Sequence, residues 1–172
     1  MIINAEIISQ PYSGEYIERM YDNESVWNSQ DWTFVKFTNG DFSEWCGHFR
    51  GSPIQVAISL INNIALVLTS DYLYQLDLKT SNLTYLDDQA MYTNLTVAPN
   101  GDFIISDYYD IEKISINIHN KVTIESPIKM DKIEFKKWEE LKLEFTCYEF
   151  LNWGRHLIMT YDLLTNKIEI KE

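Results

Sequence analysis

The chain is constrained most by its punctuation. From Trp32 onward, short runs of β-branched and aromatic residues alternate with turn residues such as Asn39-Gly40, Asn62-Asn63 and Asn100-Gly101. The runs suit a pleated, half-buried surface, and the Asn and Gly residues suit the left-handed backbone of tight hairpins. Strands are predicted at 32–38, 43–50, 54–60, 64–69, 72–78, 83–86, 95–98, 103–106, 111–118, 122–124, 132–138, 141–150, 155–161 and 167–171, after a first strand at 2–8. Before Trp32 the spacing changes. Tyr16, Ile17, Met20 and Tyr21 fall on one side of a helix over 13–21, so the predicted class is all-β with a short N-terminal helix.

A weak internal repeat sharpens this reading. Ser70-Asp71-Tyr72 recurs 36 residues later as Ser106-Asp107-Tyr108, each after an apolar run. A third copy runs through His156–Asp162 into Leu164-Thr165-Asn166-Lys167, echoing Asp77-Leu78-Lys79-Thr80. Units of about 40 residues built from strands and hairpins resemble blades of β-propellers. The resemblance spans 54–172, without the signature dipeptides of the well-known propeller families. Because 172 residues barely supply four blades after a helix, the expected architecture is an incomplete propeller-like stack of antiparallel sheets, or a β-sandwich, in one domain over 1–172.

Composition narrows the partners by charge. The chain carries 26 acidic against 14 basic side chains, a formal charge of -12, and 14% aromatic residues. Such a field repels phosphate backbones and anionic membranes and favours a basic protein partner. The N-terminus lacks a basic segment followed by an apolar one, and no apolar run reaches the roughly 18 residues of a membrane span, so a cytoplasmic location is expected. With only Cys46 and Cys147, a disulfide framework is not implied.

Candidate chemistry is sparse. Cys46 and His48 stand two apart on a predicted strand and share a face, but residues so close seldom align for nucleophilic attack, and a packed thiol beside a hydrogen-bonded histidine is the simpler reading. Asp107, Asp110 and Glu112 match no calcium loop, and neither a phosphate loop nor a G-x-S-x-G elbow occurs. No catalytic residue, metal or cofactor is therefore predicted.

What remains is an acidic and aromatic set in the repeated turns: Asp71 and Tyr72, then Asp107, Tyr108, Tyr109 and Asp110. Tyrosine anchors interfaces, and carboxylates beside it pair with Lys or Arg, so these six residues are the predicted partner-binding site. In its acidic, aromatic-rich profile the chain resembles immunity proteins of bacterial toxin systems, including those of contact-dependent growth inhibition. The resemblance implies a tight complex with one cognate toxin domain, often a basic nuclease. The alternative is a propeller-like scaffold that binds a protein or ligand without catalysis.

Overall fold

The computed structural model describes residues 1–25, 28–88 and 91–171. Among these, every regular element is a strand, and no helix is long and apolar enough to cross a membrane. Sixteen strands form four four-stranded sheets. Their contacts gather into two compact units, one of residues 1–90 with 116–119 and one of 91–115 with 120–172.

In the first unit, β1 (Ile2–Ile8), β2 (Ile17–Tyr21), β3 (Trp32–Asn39) and β4 (Glu44–Arg50) form a mixed sheet of order β1-β3-β4-β2. β5 (Pro53–Ser59), β6 (Ile64–Thr69), β7 (Tyr72–Asp77) and β8 (Leu83–Asp88) follow as an antiparallel meander. Strand alternation places Val35 and Phe37 of β3 inside, together with Trp45 and Phe49 of β4. β6 is buried at all six positions, as expected of a strand covered on both faces. Rings fill the interior: Phe37 stacks on Trp45 at 4.4 Å, and Phe49 meets Tyr74 edge-on at 5.0 Å. Gly47 leaves room for them, since a β-carbon there would lie 2.7 Å from the Phe49 ring.

Of the segment expected to be helical, residues 17–21 are instead the edge strand β2, parallel to β4 and in register from Ile17 opposite Trp45 to Tyr21 opposite Phe49, and residues 13–16 form a turn before it. Nine residues fall below the roughly 12 to 15 at which a helix becomes marginally stable alone, so tertiary contacts decide the outcome. They favour the strand. Tyr21 stacks on Phe49 at 4.8 Å and donates its hydroxyl to the Ser81 carbonyl, while the Arg19 guanidinium lies 4.9 Å from the Trp45 ring centre. Ile17 and Met20, assigned to a buried helical face, are 76% and 64% exposed.

In the second unit, β9 (Asn94–Val97), β10 (Phe103–Ser106), β11 (Ile111–Ile114) and β12 (Val122–Ile124) form one antiparallel meander. β13 (Met130–Glu139), β14 (Lys142–Glu149), β15 (Asn152–Asp162) and β16 (Lys167–Lys171) form the other. Ile104, Ile111, Ile124, Met130, Phe145, Cys147, Met159 and Tyr161 are among the residues of its core. The strand predicted at 111–118 ends at Ile114. Residues 116–119 belong to the first unit, where the Gln75 side chain donates to the Ile116 carbonyl and accepts from the Ile118 amide.

The repeat is physical at the turn between the third and fourth strands of each meander. Asp77 Oδ1 accepts the amides of Lys79 and Thr80 at 2.9 and 2.7 Å. Asp162 Oδ1 accepts those of Leu164 and Thr165 at 2.9 and 3.1 Å, and Asn117 Oδ1 accepts the amide of His119 at 2.8 Å. These are side-chain turns that Asp and Asn build alike. The residue after each aspartate is fixed as well, because the amides of Leu78 and Leu163 each donate to a carbonyl just before the second strand, Asn63 and Leu141.

Candidate protein-binding surface

The two Ser-Asp-Tyr turns occupy equivalent places, between β6 and β7 and between β10 and β11, yet the structure treats them oppositely. Asp71 and Tyr72 are 2% and 3% exposed. The Asp71 carboxylate accepts hydroxyls from Ser25 and Ser70, and the Tyr72 hydroxyl donates to the Glu24 carbonyl at 2.5 Å. Gly51 closes over the same turn at φ +105, where a β-carbon would stand 2.7 Å from Thr69 Oγ1 and 3.0 Å from the Asp71 amide. These side chains hold the first unit together and present no binding surface, contrary to their expected role. A carboxylate can be buried so deeply because hydroxyl donors replace its water.

The second turn keeps its side chains outside. Asp107 Oδ1 accepts the amides of Tyr109 and Asp110 at 2.7 and 2.8 Å, which shapes the loop and leaves Tyr108 and Tyr109 48% and 45% exposed. Tyr109 meets the Phe150 ring edge-on at 5.9 Å, and Tyr108 lies 6.4 Å from Tyr109. Phe150 comes from the turn between β14 and β15, the matching hairpin of the neighbouring sheet. Leu151 of that turn and Trp153, the second residue of β15, are also exposed, at 79% and 67%, with Trp153 packed on Tyr148.

Sequence reasoning thus placed Tyr108, Tyr109 and Asp110 at the surface and missed Phe150, Leu151 and Trp153. A signal existed. Phe150-Leu151-Asn152-Trp153-Gly154 sets three large apolar residues at and beside a turn, where polar residues are the rule. Polar contacts stiffen that hairpin: hydrogen bonds from Asn152 and then Arg155 hold the Glu149 carboxyl below its usual range.

Beside the aromatic array lies an open cleft of about 560 Å³, lined by Tyr109, Phe150, Ile124, Ile128 and Met130 with Asp110, Glu125 and Lys129 among its polar groups. Ile124 and Met130 are buried core residues, so its floor is apolar. Cys46 and His48 offer no comparable arrangement. Burial pushes the Cys46 thiol up to about 11, the opposite of what a nucleophile needs, and the His48 ring packs edge-on against Phe34 with Nε2 3.6 Å from Glu18 Oε2. Among the described residues, no three His, Cys, Asp or Glu side chains gather as a metal would require.

No family model and no curated protein matches the chain. Among solved structures, a chain of an S. cerevisiae complex described as dbp5 bound to nup159, gle1, ip6 and adp is similar over 70% of this chain, at 10% identity and a TM-score of 0.48. The match covers 34% of that chain's length, so the present chain spans about a third of it. Likeness at this level carries neither fold nor function across.

Proposed function

We propose that this chain is a binding protein that engages a basic protein partner through the surface formed by Tyr108, Tyr109, Phe150, Leu151 and Trp153. In the reading that its acidic profile favours, it is a cytoplasmic immunity protein and the partner is a cognate toxin domain, in the manner of contact-dependent growth inhibition. One observation carries the proposal: two matching hairpins present an array of exposed rings beside the carboxylates of Asp110 and Glu125, which have no ion-pair partner among the described residues. Exposed aromatic clusters of this kind are costly to leave in water and are the usual anchors of interfaces. The net charge of -12 supplies the attraction that brings a basic surface to them.

A second reading, a propeller-like scaffold with no toxin partner, draws on the recurring third-to-fourth-strand turn, which is how blades repeat. One experiment separates them. Surface plasmon resonance against the toxin domain encoded beside this chain's gene should give tight binding whose association slows steeply as salt rises. Tyr109→Ala and Phe150→Ala should each weaken it at least about tenfold, as loss of a buried anchor does. Unchanged affinity in both variants removes this surface from the interface, and absence of wild-type binding removes the immunity reading.

A further inference from the structure

Resting on that reading of the surface, we infer that the cleft beside Tyr109 and Phe150 is the socket for one aromatic side chain of the partner, flanked in its sequence by Lys or Arg. Its volume of about 560 Å³ lies within the range of sites that take a drug-sized ligand, about 300 to 1,000 Å³, so an aromatic side chain fits together with part of the residues beside it. Its floor is Ile124 and Met130, at 2% and 3% exposure, so an entering ring meets packed apolar atoms.

The walls select an aromatic ring. Tyr109 and Phe150 meet edge to face at 80° and both line the cleft, so an incoming ring can add to an existing aromatic pair in the offset or edge-to-face geometry that such rings prefer. Charge selects the flanks. Asp110 and Glu125 line the cleft against Lys129, leaving the lining one negative, and neither carboxylate has an ion-pair partner among the described residues. Asp110 is further fixed in place, because its amide is held by Asp107. A cation next to the anchor therefore gains a carboxylate without breaking an existing pair.

The test uses the whole chain and a fluorescein-labelled peptide, Gly-Ser-Lys-Phe-Lys-Ser-Gly, followed by fluorescence anisotropy. Binding should weaken at least about tenfold when the peptide's Phe becomes Ala, and by a similar factor in Ile128→Trp, which fills the cleft. The double variant Asp110→Asn, Glu125→Gln should bind less tightly and with a weaker salt dependence. Should a thermal melt show Ile128→Trp unfolded, Ser126→Phe at the same lining supplies the block. A peptide with Glu in place of both Lys residues binding as well as the original would overturn the charge assignment, and hence the proposal. So would full affinity in the blocked variants, or no binding by the wild type. Toxin binding that persists while the peptide fails sinks the socket alone. Peptide binding with these dependences but no toxin binding supports the socket and sinks the toxin reading.

Discussion

Two turns with the same three residues, Ser70-Asp71-Tyr72 and Ser106-Asp107-Tyr108, have opposite fates in this molecule. Both join the second and third strands of a meander. Two residues separate β6 from β7, whereas four separate β10 from β11. The short connection makes Tyr72 the first residue of a strand, and Glu24 and Ser25 lie over it. In the longer one, Asp107 commits its carboxylate to the loop's own amides, and Tyr108 stands at the tip. A carboxylate that binds a distant segment becomes part of the core, while one that binds its own loop builds a platform.

The largest expected effect follows from this contrast. Tyr72→Ala should cost about 3 to 5 kcal/mol, the usual range for deleting a buried ring, whereas Tyr108→Ala should stay within about 0.5 kcal/mol. Urea titrations of both variants measure the difference, and equal costs would break the comparison. The aspartates should divide in the same direction with a smaller gap. Asp71→Ala removes the acceptor of two hydroxyls and should lose about 2 to 3 kcal/mol, against about 1 kcal/mol or less for Asp107→Ala.

The cysteines report on the two units separately. Burial raises both Cys46 and Cys147 thiols to about 11, so neither should react with a thiol reagent in the native protein at neutral pH. Tyr72→Ala should speed labelling of Cys46, in its own unit, more than that of Cys147, read by mass spectrometry after a timed quench. Equal acceleration would mean that the units open together.

The smallest effect is on acid stability. Backbone hydrogen bonds from Thr80 hold Asp77 below the usual carboxylate range, and those from Thr165 do the same for Asp162. A folded-state pKa below the unfolded one gives stability that is present above the unfolded value and lost as pH falls through the folded one. Asn117, which accepts one amide of the corresponding turn, shows that a side-chain amide can take the carboxylate's place there. Asp77→Asn with Asp162→Asn should therefore keep stability near neutrality and flatten its acid decline, seen in melting temperatures from about pH 6 down to about pH 3. An unchanged acid limb would place that pH dependence elsewhere.

The strands were legible where alternation and turn residues agreed. β1, β6, β10, β12 and β16 fall where the residue pattern predicts, and the repeat is visible in the Asp-Leu turns. The 13–21 segment was not legible, because Ile17, Arg19 and Tyr21 alternate as well on a strand as Tyr16, Ile17, Met20 and Tyr21 cluster on a helix, and only the open edge of β4 decides between them. At the binding surface, Tyr109 and Asp110 could be read from the turn. Their neighbour Phe150, from a hairpin far along the chain, could not, since no local pattern says which hairpins meet.

The sequence by itself determined the all-β class, most strand positions and the acidic field, because each depends on side-chain period, turn chemistry or summed charge. Tertiary structure alone decided which Ser-Asp-Tyr turn is buried, which strand closes the first sheet, and how Phe150 joins Tyr109 above an apolar floor. Those outcomes depend on contacts between residues far apart in the chain, where the free energy of covering a surface exceeds any local preference.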